Sequence, residues 1–164
     1  MPITPFHFGA GAVLHAAAPR QVSFLAFCAA NCITDCETIY NVLSNRFPLH
    51  RFLHTFVGAT LVALATVGLF VALRALAGRI EVPNRFDWQR LTIAAVAIGA
   101  ALGTYSHIVL DGIMHADVRP FAPWSDGNPF YRLVPLGALH IGCLVAGGLG
   151  VLVIFLRDAR RKNV

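Results

Sequence analysis

The sequence predicts an all-α fold, a polytopic bundle of membrane helices, and three observations carry the prediction. Of 164 residues, 57% are hydrophobic and 13% charged, with mean hydropathy +0.66. So little polar surface cannot coat a soluble globule of this size. Three apolar stretches, residues 52–77, 91–114 and 133–156, each exceed the roughly 20 residues a helix needs to cross the hydrocarbon core. Between the last two, residues 117–132 hold Pro120, Pro123, Pro129 and Gly127 and cannot continue a helix, so they read as a loop between spans.

Ahead of the three spans, the chain opens Met-Pro-Ile-Thr-Pro-Phe-His, with no basic region of the kind that begins a cleaved signal peptide. Residues 5–18 are apolar but too short to span, Pro19-Arg20 interrupts them, and a second apolar run reaches Cys36. These predict a shallow helical hairpin over about residues 5–36. Without repeats, low-complexity tracts or a soluble segment, residues 1–164 form one integral membrane domain ending in a basic tail, 157–164. Cys28, Cys32 and Cys36 recur at every fourth residue, a stripe that could supply soft metal ligands or a redox pair, although free cysteines so placed more often serve as compact apolar packing. Gly99 and Gly103, with Gly147, Gly148 and Gly150 in the last span, allow close helix approach within one chain or in a homo-oligomer.

Charge sets an expected orientation. If the helices alternate, Arg20, Arg74, Arg79, Arg85, Arg90, Arg157, Arg160, Arg161 and Lys162 collect on one side, against Arg46, Arg51, Arg119 and Arg132 on the other. The positive-inside bias makes the richer side cytoplasmic, with the C-terminus. The net charge of +5 then reflects topology and anionic lipid headgroups, and basic residues split among two short connections and a tail argue against a nucleic-acid partner.

The same alternation gathers the chemistry. His7, Asp35, His50, His54, His107, Asp111, His115 and His140 all fall at the non-cytoplasmic helix ends, and of the seven histidines only His15 lies elsewhere. His107, Asp111 and His115 recur at every fourth residue, as do His50 and His54, so each set can share one helical face. Ionisable groups in hydrocarbon are costly unless satisfied, and imidazole nitrogen with carboxylate oxygen is a ligand set for zinc, manganese or iron. A divalent metal held by this layer is the leading expectation, with zinc first. Interfacial histidines wetted at one end are the plainer alternative.

At these residues the sequence resembles the YdjM-like bacterial inner-membrane proteins, a family regarded as metal-dependent hydrolases. Its pattern is a helix-opening Gly-His, an Asp-x-Asp-His motif, a His-Arg-Gly-x-Thr-His-Ser motif, and Ser-His-x-x-x-Asp before a Pro-rich loop. Here these correspond to Phe6-His7, Asp35-Cys36-Glu37-Thr38, His50-Arg51-Phe52-Leu53-His54-Thr55, and Ser106-His107 through Asp111 followed by Pro120 to Trp124, in matching order across about residues 5–125. Glu37 replaces the second Asp, Thr38 replaces the His after it, and the His-Arg motif is one residue shorter.

The resemblance implies a membrane-embedded hydrolase at the non-cytoplasmic face of an inner membrane. Its metal ligands would come from His7, Asp35, His50, His54, His107 and Asp111, with His115 added on spacing alone. Asp111 would serve catalysis through the metal, Glu37 would accept a proton, and Arg51, with Arg119, would hold an anionic substrate. A broader likeness to zinc-dependent phospholipase C, also helical with His-x-x-x-Asp ligands, suggests a phosphoester or lipid headgroup. The alternative is a non-catalytic membrane protein, an interaction or transporter subunit, whose polar layer is structural. A closed four-ligand site would favour structure, and three protein ligands beside an opening would favour catalysis.

Overall fold

A computed structural model describes residues 5–162, so residues 1–4, where the absence of a signal region was read, and 163–164 of the basic tail lie outside the described residues. Five α-helices occur and, among the described residues, no strand: α1 Pro5–Ala17, α2 Phe24–Leu43, α3 Phe56–Ala77, α4 Ile93–Met114 and α5 Leu136–Lys162. Among the described residues, three helices are long and apolar enough to cross a membrane, Phe56–Ala77, Ile93–Met114 and, within α5, Leu136–Arg157.

The helix starts follow from capping. Ser23, Thr55 and Thr92 each stand in extended backbone and accept a hydrogen bond from the amide three residues on, those of Ala26, Gly58 and Ala95. Thr55 separates α3 from a 3-10 turn at Phe52–His54, so the span expected from residue 52 begins at 56. The hairpin also differs from expectation. α2 runs seven residues past Cys36 to Leu43, because Thr34, Thr38 and Asn41 turn into the protein and Glu37 is occupied by local amides. Polarity there marks a buried face rather than a helix end. The last helix begins at Leu136, after Pro135, and continues through most of the basic tail to Lys162.

α2 and α4 run in the same direction and cross along matched stripes of every fourth residue. On α4 the stripe is Gly99, Gly103, His107 and Asp111; on α2 it is Ser23, Phe27, Asn31 and Asp35. A Cβ on Gly99 would strike the Ser23 carbonyl, and one on Gly103 would lie 2.7 Å from the Phe27 carbonyl, so only glycine permits this backbone approach. The approach at one end lets the polar side chains meet at the other. Small residues also build the core, Ala26, Ala30 and Ala100 with Val62, Phe70 and Val96, tying α3 to both helices. α5 packs chiefly on α1, where Gly9 meets Cys143 and Gly147. Leu144, Leu149, Leu152 and Phe155 on α5 remain exposed, as suits a surface solvated by lipid chains.

Candidate metal centre

The stripe pairing places buried Asn31 opposite buried His107. Asn31 Nδ2 donates to the Phe27 carbonyl at 2.8 Å, which leaves Oδ1 as the acceptor 2.8 Å from His107 Nδ1. His107 Nδ1 therefore carries a proton. Its Nε2 faces Asp35 Oδ1 at 3.3 Å and Asp111 Oδ2 at 3.2 Å. Two carboxylate oxygens meet this nitrogen stably in a buried place only around positive charge, a second ring proton or a metal ion.

His54 reaches the same point from the loop. Glu37 accepts the backbone N–H groups of Arg51, Phe52 and Leu53 at 3.2, 3.1 and 2.8 Å, bending the chain into the turn that buries the His54 ring. His54 Nε2 then lies 3.4 Å from Asp111 Oδ2, 3.9 Å from Asp35 Oδ1 and 3.4 Å from Thr38 Oγ1. Burial opposes the ionisation of Glu37, yet His54 and the Leu53 and Arg51 amides hold its carboxyl below the usual range. Burial likewise opposes charge on His54, but Asp111 and Glu37 prevail and raise its pKa. The surroundings of His54 thus call for a cation, which a proton or a metal ion can supply. Asp35, His54, His107 and Asp111 offer ligand atoms all within 4.8 Å of one another.

A second group lies beside the first. Asp117 Oδ2 accepts the Leu49 and His50 amides at 2.9 and 3.1 Å, and its Oδ1 takes the His50 Nδ1 proton at 3.0 Å. Burial pushes the Asp117 carboxyl up, but the His50 amide and ring hold it below the usual range. His50 Nε2, left with its lone pair, stands 3.8 Å from Asp111 Oδ2. His115 stacks on His50 with ring centroids 4.5 Å apart, and His50, Asp111 and His115 form another set of ligand atoms within 4.8 Å. Burial lowers the His115 pKa, which favours the neutral, ligating ring.

The structure thus brings together His7, Asp35, His50, His54, His107, Asp111 and His115. His7 stands behind Asp111, its Nε2 3.2 Å from Oδ1 and its ring stacked on His107 at 4.2 Å, and it belongs to neither ligand set. Glu37, expected to accept a proton, is engaged by three amides and serves to anchor the loop. Arg51 is exposed and donates through Nε and Nη2 to the Pro48 and Phe47 carbonyls. It lines a cavity of about 410 Å³ with His50, Phe52, Arg119 and Asp126, where Arg119 pairs with Asp126 at 2.8 Å. His140 joins neither ligand set; it lies against Phe6 and shares a small pocket with His7, Leu110 and Met114. His15 is held at the other end of α1 by the Val22 carbonyl at 2.7 Å. Asp117 escaped sequence reasoning, since nothing links it locally to His50. Asn31 lies one turn before Asp35 on the same face of α2, and its partner is His107 on α4.

Residues 1–163 of the 164 match the family described as YdjM inner membrane protein. The chain belongs to the YdjM inner membrane protein family. No curated protein and no solved structure shows significant similarity to it. The match extends the resemblance of the four motifs, which ended near residue 125, through α5. It is a membrane protein of an inner-membrane family with a buried His/Asp group able to hold a metal ion. Thr38 presents its hydroxyl to His54 Nε2 at 3.4 Å.

Proposed function

We propose that this YdjM-family chain is a metal-dependent hydrolase acting on an anionic ester, of phosphoester or lipid-headgroup type, at the non-cytoplasmic membrane face. The observation that carries the metal is His107, whose Nδ1 is held by Asn31 and whose Nε2 meets two carboxylates in a buried site. The donors fit a borderline divalent ion such as zinc, with manganese and iron also served by nitrogen and carboxylate oxygen. Bound there, such an ion supplies Lewis-acid charge and lowers the pKa of a water toward about 7. The chain's own residues then orient and neutralise. Asp35 and Asp111 offset the ion's charge, Glu37 holds the backbone of residues 51–53 that leads into His54, and Asp117 holds the His50 backbone. Arg51, pinned at the cavity rim, offers its remaining N–H donors to an anion.

One observation favours the structural alternative. The Asp35, His54, His107 and Asp111 group already supplies four protein ligands and is largely buried, as closed structural sites are. Metal analysis of detergent-purified protein, with hydrolysis assays on soluble phosphoesters and lipid phosphates, separates the readings. The hydrolase reading expects bound metal that His107→Ala releases and activity that a chelator abolishes. Protein without metal after zinc, manganese or iron loading sinks both metal readings. A metal-replete protein inert on every substrate leaves the structural one standing.

A further inference from the structure

The four-ligand group leaves unexplained why a second set of donors was built against it. His50, Asp111 and His115 come from the loop before α3 and from the end of α4, and they share only Asp111 with the inner group. Asp111 Oδ2 is the common atom: it faces His54 at 3.4 Å and His107 at 3.2 Å on one side and His50 at 3.8 Å on the other. The other oxygen stands 3.2 Å from His7 Nε2, on the far helix α1. An oxygen held between two sets of imidazoles in this way is placed as a bridge.

The outer set has its own orienting partner. A histidine that donates Nδ1–H to a carboxylate presents a fixed, more basic Nε2, the usual arrangement behind a metal-ligating imidazole. Asp117 does this for His50 at 3.0 Å and also accepts the Leu49 and His50 amides, so the ring cannot turn away. Asn31 plays the equivalent part for His107, from a different helix. Two imidazoles, each held through Nδ1 by its own partner, therefore bring Nε2 to one carboxylate.

The sets differ in ligand number and access. The inner one has four protein ligands, whereas the outer one has three, leaving a coordination position for a non-protein ligand. His50 is also the residue that reaches the cavity of about 410 Å³ where Arg51 and Arg119 stand. We infer that the protein holds two divalent ions bridged by Asp111, and that the outer ion, on His50, Asp111 and His115, is the one presented to substrate. The inner ion then crosslinks α2, the loop and α4, and supports the bridge. This rests on the hydrolase reading only for the word substrate; the second ion stands on ligand geometry alone.

The test is metal stoichiometry of the full chain in detergent, loaded separately with zinc and with manganese and freed of loose ions by desalting. Wild type should retain two ions per chain, and His115→Ala and His50→Gln one each, with helix content unchanged by circular dichroism. Manganese-loaded wild type should give the exchange-coupled electron paramagnetic resonance signal of ions about 3.5–4 Å apart, and His115→Ala the signal of isolated manganese. Phosphoester turnover should fall at least 100-fold in His115→Ala while its single ion persists. One ion per chain in wild type, unaltered by His115→Ala, overturns the second site and leaves the inner one intact. No retained ion overturns the metal reading as well. Two uncoupled ions, or two ions surviving both substitutions, overturn the bridge at Asp111. Because His115 is only half-buried at the end of α4, its replacement leaves the packed core untouched.

Discussion

Asn31 shows how much one neutral side chain decides. It carries no charge, yet by donating to Phe27 and accepting from His107 it determines which imidazole nitrogen faces Asp35 and Asp111. Asn31→Leu removes the acceptor and leaves the His107 Nδ1 proton unpaired. Metal affinity, read by competition with a chelator, should fall about 10- to 100-fold, the usual cost of losing an orienting partner. Unchanged affinity in a folded Asn31→Leu protein would mean that the ring is oriented by something else. Glu37 works the same way through the backbone. Glu37→Ala leaves three amides seeking water at a half-buried loop, for which a loss of about 2 kcal/mol is expected. Thermal unfolding measures that loss, and an equal melting temperature would refute the anchoring role.

Between helices, the determinant is the shared period of four. α-Helical rows at that spacing interlock as ridges and grooves, and here the first half of each row is packing and the second half is chemistry. The glycine pair is therefore part of the site without contacting it. Gly103→Leu must push α4 from the Phe27 carbonyl, and overpacking of this kind costs about 1–3 kcal/mol. It should also reduce bound metal, since it separates His107 from Asn31 and Asp35 one turn further on. Gly68→Leu on α3, where an added Cβ meets nothing within 4 Å, is the control and should change neither quantity. Equal effects of the two substitutions would detach the crossing from the site.

For the molecule as a whole, the ligands span α2, the loop before α3 and α4, so a bound ion closes the bundle at one end. Stripping it with a chelator should lower the melting temperature, and zinc should restore it, because binding to the folded state alone adds about 4 kcal/mol at a thousandfold excess over Kd. A melting temperature indifferent to both treatments would count against any resident metal. The proposed orientation makes a separate prediction. With the four native cysteines replaced, an impermeant thiol reagent outside intact spheroplasts should label Asp126→Cys and spare Glu81→Cys. The reverse pattern would turn the centre toward the cytosol.

Hydropathy determined the class of this protein, its three spans and the end of the bundle where imidazoles and carboxylates gather, because crossing a bilayer demands long apolar helices whatever they pack against. Spacing likewise made His107 and Asp111 recognisable as one face. Helix ends were less legible: Glu37 resembles a break in an apolar run, and only its capture of three amides shows that α2 continues. The division into two ligand sets was beyond any local pattern. It depends on Asp117 reaching back 67 residues to His50, and on which oxygen of Asp111 His7 faces. Such contacts join groups distant in the chain at separations of about 3 Å, and only the packed helices bring them within that range.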